Sequence, residues 1–274
     1  MQLVPFESVE CRERRNARDG KFLYWQLLEG TEGSAANFSL QLVKLTNYYS
    51  PRHRHSFEQI RLQLDGTLGY DRDGKMGPES IAYFPEGVRY GPQTADTPES
   101  TLLVLQFAGA SGLGYMSERV YNDAVQQMKA LGEFSGGVFT RHVDGRKVNQ
   151  DAYEAVWEHV NGRPLEYPKP RYNAPVFFMP DAFEWQPLTG CTGAREKHLG
   201  TFTERRVSIR LLQIDPQAQA QVQGPALAFA MSGSGTVQGQ QWTQQSTLRI
   251  EAGEAASIRS DALCQWLCIG VPLE

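Results

Sequence analysis

Ser50-Pro51-Arg52-His53-Arg54-His55-Ser56-Phe57-Glu58-Gln59 sets two histidines one residue apart, just ahead of a strand-like run. Successive side chains of an extended strand point to opposite sides. His53 and His55 therefore share one face, and both imidazoles can meet one metal ion. Gln59 opens the next run, Ile60-Arg61-Leu62-Gln63-Leu64, which alternates with the period of a half-buried strand and breaks at Asp65-Gly66. In that run Gln59, Arg61 and Gln63 share one parity, while Glu58 has the other and should face away from the histidines. Similar text extends on both sides. Phe38-Ser-Leu40-Gln-Leu42-Val-Lys-Leu45 alternates, Thr101-Leu-Leu-Val-Leu-Gln-Phe107 is a denser apolar run, and Asp71-Arg72-Asp73-Gly74 reads as a hairpin turn. A calcium loop does not fit there, because the remaining ligand positions of that motif are missing.

The full spacing is His53-x-His55, three residues, Gln59, six residues, Gly66. This resembles the first motif of the cupin superfamily, in which two histidines and a glutamate bind a divalent metal inside a small β-barrel. Gln59 stands where the glutamate would be. Pro85-Glu86-Gly87-Val88-Arg89-Tyr90 resembles the second motif, with Tyr90 in place of the fourth metal-binding histidine. The resemblance covers roughly Phe38 to Phe107 and implies a jelly-roll barrel there.

The period then changes. Ser117 to Leu131 places Val120, Tyr121, Ala124, Val125, Met128 and Leu131 on one helical face, with Ser117 as N-cap. A second helix is expected from Asp151 to Val160, with Tyr153, Val156, Trp157 and Val160 as its stripe and Gly162 as its stop. Pro164 to Pro175 reads as an extended linker. Strand-like text returns from Val176, including a Gln-rich stretch whose alternation with Ala and Val suits a strand with a polar outer face.

Strands, a helical connector and strands again suggest an internal repeat. A shift of 167 residues sets Ala220, Val222, Ala226 and Gly233 under His53, His55, Gln59 and Gly66, and a shift of 166 sets Gly253 under Gly87 and Ala256 under Tyr90. The whole chain thus resembles an all-β bicupin: an N-terminal barrel at 20–112, a helical connector and linker at 113–175, and a C-terminal barrel without metal ligands at 176–274.

The 274 residues carry 27 basic and 31 acidic side chains, a net charge of −4, which argues against a general nucleic-acid binder. No apolar run approaches the roughly 18 residues of a membrane span, and the N-terminal text lacks the apolar core of a secretory signal. Four cysteines are too few for a disulfide scaffold. Cys264 and Cys268 read as small apolar packers, and Arg89, His142, His159 and His198 as surface residues. A cytoplasmic protein is expected, and a homodimer joined through barrel edges.

The resemblance implies a metal-dependent enzyme. His53, His55 and Gln59 would hold a divalent metal, Fe(II) first, with Ni, Mn, Cu and Zn as alternatives. Tyr90 would ligate the metal or act as an acid/base beside it. Arg61, inward by parity, either clamps an anionic or chelating organic substrate or forms an internal salt bridge. Gln63 lies two residues farther along the same face and would also touch substrate. The reaction named first is dioxygenation, with lyase or isomerase chemistry beside it. The competing class is a non-catalytic small-molecule-binding cupin, towards which the missing glutamate and histidine lean.

Overall fold

In the Phe38–Thr46 strand, Leu40 and Leu42 turn to one side and Gln41, Val43 and Leu45 to the other. Each side meets a different environment. Leu40 and Leu42 join the largest hydrophobic cluster, whereas Val43 and Leu45 pack with Leu68 and Leu102 inside a barrel. Alternation thus gives the central strands of the first sheet two buried faces. The computed structural model describes residues 1–15, 21–34, 36–72 and 74–272.

Two seven-stranded antiparallel sheets carry the chain. The first runs Val176–Phe178, Ile81–Phe84, Glu58–Asp65, Glu99–Phe107, Phe38–Thr46, Lys21–Glu29, Cys11–Arg15. The second runs Gln2–Val4, Thr247–Ile250, Ala226–Ser232, Cys264–Gly270, Val207–Ile214, Ala194–Phe202, Gln186–Pro187. The two orders correspond strand for strand. Gln59 pairs with Phe84 in the first sheet and Ala226 with Ile250 in the second, which keeps the repeat in register. Shorter strands complete each jelly roll: Tyr49–Ser50 with Gln93–Thr94 and Leu68–Gly69 with Lys75–Met76 in the first barrel, a four-stranded sheet in the second. The Leu68–Gly69/Lys75–Met76 hairpin closes over the expected turn, of which Asp73 lies outside the described residues.

Each large sheet takes one edge strand from across the repeat. Gln2–Val4 pairs with Thr247–Ile250 of the second sheet, and Val176–Phe178 pairs with Ile81–Phe84 of the first. The start of the stretch expected to build the second barrel therefore lies on the first. The exchange covers edges that would otherwise present unpaired backbone groups. The sheets pack face to face: Ile60, Leu62, Tyr83, Leu103 and Leu105 meet Ile209, Leu211, Leu227, Phe229 and Leu267 in one cluster.

The connector is not wholly helical. α1 (Glu118–Met128) is capped by the Ser117 side chain, and α2 (Ala152–Asn161) runs from an Asp151 cap to Gly162 in the left-handed conformation at φ 64°. Between them lies a three-stranded sheet, Glu133–Ser135, Val138–Val143 and Arg146–Asp151. Its two turns, Gly136-Gly137 and Asp144-Gly145, all have φ between 50° and 79°, the geometry that joins adjacent antiparallel strands. Leu131, placed on the helical stripe by spacing, follows the end of α1 and is exposed. The proline-rich linker crosses the Pro85-Glu86-Gly87 loop so closely that a Cβ on Gly87 would strike the Pro168 carbonyl, and φ at Gly87 is +76°. No helix among the described residues is long and apolar enough to cross a membrane.

The two barrel interiors differ. In the second, Ala220, Val222, Ala226 and Ala256 are buried in a cluster with Trp242 and Trp266, whose ring centroids lie 4.7 Å apart. Cys264 and Cys268 belong to the same cluster, and burial pushes the Cys268 thiol up to about 11. The first interior holds a cavity of about 310 Å³.

Candidate functional site

The cavity is built on three inward-facing strand segments and roofed by the connector. Gln59 and Arg61 face Gln106 and Val104 across the Glu58–Asp65/Glu99–Phe107 ladder, and Val104 in turn faces Gln41. His53 and His55 stand at the rim with ring centroids 4.8 Å apart. Tyr115, Glu118 and Tyr121 approach from the α1 side, and Ala152 and Tyr153 from the start of α2. Tyr153 lies 5.9 Å from the His55 ring, and its hydroxyl is 3.2 Å from Ser56 Oγ. Burial raises the affinity of that hydroxyl for its proton. Farther in, Val43, Leu45, Leu68, Leu102 and Val104 make the wall apolar.

Arg61 is only 8% exposed. Its Nε and Nη2 donate to Gln59 Oε1 at 3.0 and 2.7 Å, and Nη2 also donates to the Tyr90 hydroxyl at 3.2 Å. The guanidinium carbon lies 4.5 Å from the Phe84 ring centroid. No carboxylate among the described residues pairs with it, although a buried cation without a counter-ion is costly. Gln59 is locked by the same bonds. Two guanidinium N–H groups require the amide oxygen on their side, so the amide nitrogen points to Tyr90, donating at 3.1 Å.

This arrangement bears on metal binding. His53 Nδ1 lies 2.7 Å from the Pro51 carbonyl, which can only accept, so a neutral ring keeps its lone pair on Nε2. That is the usual support for a ligating histidine. The third donor is missing: the Gln59 oxygen is turned to a cation. Among the described residues no group of three or more His, Cys, Asp or Glu side chains is placed to hold a metal ion. With Arg61 where it stands, the residues do not fit a resident metal held by protein donors alone.

Gln63 occupies a different place from the one expected, whereas Tyr90 flanks His53, His55 and Gln59 without lining the cavity. Tyr90 is buried among Met76, Ala82 and Phe84, with its ring centroid 4.6 Å from that of His53 and 6.0 Å from that of His55, and it is not part of the cavity wall. It accepts from Gln59 and Arg61, and so positions them. Gln63 is fully buried and also off the wall; its amide donates to the Asp65 carbonyl at 2.7 Å and Ser100 Oγ at 2.6 Å. The irregularity between Thr101 and Leu102 in the facing strand brings those acceptors to it.

Glu58 faces the other way, towards the second barrel. It is 1% exposed, and burial pushes its carboxyl up to about 7, with Glu86 adding to the rise and Tyr83, the Ala110 backbone and Arg205 opposing it. Glu86 accepts from Arg171 Nη1 at 2.7 Å and from the Ser111 backbone at 2.8 Å. Arg89 is exposed, as are His142, His159 and His198; His159 lies 3.1 Å from Gln127 Oε1 and His198 3.1 Å from Thr201 Oγ1.

Parity alone marks Gln41 and Gln106 as polar residues on inward faces. Gln93, Tyr115, Tyr121 and Tyr153 have no such signal, because they reach the cavity from a two-residue strand, a loop and two helices.

No family model matches the sequence, and no curated protein matches it. Solved structures do. A "putative dioxygenase" of Nostoc punctiforme is 12% identical with a TM-score of 0.63, covering 100% of this chain and 84% of its own. Oxalate decarboxylase of Bacillus subtilis is 11% identical with a TM-score of 0.56, covering 99% and 76%. GK1651 of Geobacillus kaustophilus is 10% identical with a TM-score of 0.54, covering 99% and 98%. The likeness spans both barrels, and the fold is that of a bicupin.

Proposed function

We propose that the N-terminal barrel binds a small organic anion on Arg61. The observation that carries this reading is a buried guanidinium on a cavity wall with no carboxylate partner among the described residues. Its Nη1 has no hydrogen-bond partner among those residues, so the cation keeps donors for a carboxylate or enolate oxygen. Gln59 and Tyr90 hold the guanidinium, while His53 and His55 line the rim. The second barrel, packed around Trp242 and Trp266, serves as the platform against which the first sheet folds.

A second reading is favoured by the paired imidazoles and the Pro51 contact. In it the same anion brings the oxygen donors that Gln59 withholds, and a divalent metal joins His53 and His55 only with that ligand. The chain would then be a metal-dependent cupin enzyme, acting as an Fe(II) dioxygenase or as a lyase or isomerase. Mn(II) centres are named for the oxalate decarboxylase. Bound metal would supply Lewis acidity or redox chemistry next to the anion.

Metal content separates the readings. Mass spectrometry of untagged protein equilibrated with Mn(II) or Fe(II) in buffer containing excess benzoate should find well under one transition metal per chain, equally in wild type and His53→Ala/His55→Ala. About one metal per chain, lost in the double variant, would replace the first reading with the second.

A further inference from the structure

Gln93 is 1% exposed and lines the cavity. It sits opposite Ser50 in the short Tyr49–Ser50/Gln93–Thr94 ladder. Neither its amide oxygen nor its amide nitrogen has a hydrogen-bond partner among the described residues. A buried amide left that way is costly, and native proteins keep few such groups unless a ligand or water answers them. We propose that Gln93 is a second polar anchor of the cavity. The ligand class follows: a monoanionic organic acid with an apolar frame and one neutral hydrogen-bonding group, such as a hydroxyl or carbonyl. The proposal rests on the anion-binding reading above and sharpens it.

Three observations set the class. Arg61 is the only lysine or arginine on the described wall, so one carboxylate answers the wall's one permanent cation and a second negative charge would find no further lysine or arginine there. The inner wall of Val43, Leu68, Leu102 and Val104 suits hydrocarbon or an aromatic ring. An amide with both a donor and an acceptor to offer matches a hydroxyl or carbonyl and gives no advantage to a bare hydrocarbon. The cavity, about 310 Å³, lies at the lower end of small-ligand sites. A short dicarboxylate such as oxalate carries no hydrocarbon for the apolar wall and brings a second negative charge.

Calorimetric titration of the whole chain with benzoate, the three hydroxybenzoates, oxalate and benzyl alcohol tests this. At least one hydroxybenzoate should bind about tenfold tighter than benzoate, and benzoate about tenfold tighter than oxalate or benzyl alcohol. Gln93→Met, close in volume, should erase the hydroxybenzoate advantage while keeping benzoate affinity. Oxalate binding as tightly as benzoate, or a hydroxybenzoate advantage that survives Gln93→Met, would overturn the ligand class and leave anion binding standing. If no carboxylate binds, or benzyl alcohol matches benzoate, the anion reading itself falls. The wild-type panel decides the class even if the variant fails to fold.

Discussion

Arg61→Met is expected to weaken binding of a cavity carboxylate about a hundredfold, roughly 3 kcal/mol, in calorimetric titration. The size of the effect comes from burial. A guanidinium 8% exposed, with no carboxylate partner among the described residues, meets its anion in surroundings where water screens little. Methionine keeps the volume and the contact with Phe84 but removes the charge and five donors. Arg61→Lys should recover part of the loss, since it restores the charge but not the planar fork that bonds Gln59 and Tyr90 together. Circular dichroism of each variant should match wild type, because the strand is held by its ladder and by Ile60 and Leu62 on the opposite face. An Arg61→Met protein that binds the carboxylate within threefold of wild type would remove Arg61 from the site.

The second large effect lies outside the cavity. Glu58 has its carboxyl raised from an ordinary 4.5 to about 7, chiefly by burial between the sheets. A carboxyl raised on folding holds its proton in the folded chain, so the stability it confers is complete below about 4.5 and is lost as pH rises through about 7. The difference corresponds to roughly 3 kcal/mol. Glu58→Gln, neutral at every pH, should therefore flatten the decline in stability between pH 4.5 and 7. At pH 8 it should raise the melting temperature by roughly 6–10 °C, with little change at pH 4.5. The facing groups are Tyr83, Glu86 and Arg205, and Glu86 is itself held by Arg171 and Ser111, so the substitution leaves that pairing in place. Melting curves of variant and wild type that stay parallel from pH 4.5 to 8 would show that Glu58 does not hold a proton there.

Much of the architecture is legible in the sequence because strand parity is a strict rule. The alternation in Phe38–Thr46 and Glu58–Asp65 separates the faces of the first sheet, and the shift of 167 residues finds the corresponding strand of the second. The exchanged edge strands are not legible: Gln2–Val4 and Val176–Phe178 have three residues each, too few to show a period. The sheet in the connector is hidden for another reason. Its strands are polar and exposed, and only the Gly136-Gly137 and Asp144-Gly145 pairs announce it. For the candidate site, parity turns Gln59 and Arg61 inward but says nothing of what they bond to. The orientation of Gln59, which commits its amide oxygen to the guanidinium, depends on Arg61 two residues away and on Tyr90 from another part of the chain. Gln93 lies three residues beyond Tyr90, and only the folded barrel brings it to the wall.

Calorimetric titration of protein dialysed against EDTA separates direct anion binding from metal-dependent binding. With benzoate as titrant, saturable binding at one site per chain is expected without added metal, with little change when Mn(II) or Fe(II) is supplied. Heat of binding that appears only after a divalent metal is added would contradict direct anion binding, and would assign the barrel to metal-dependent chemistry.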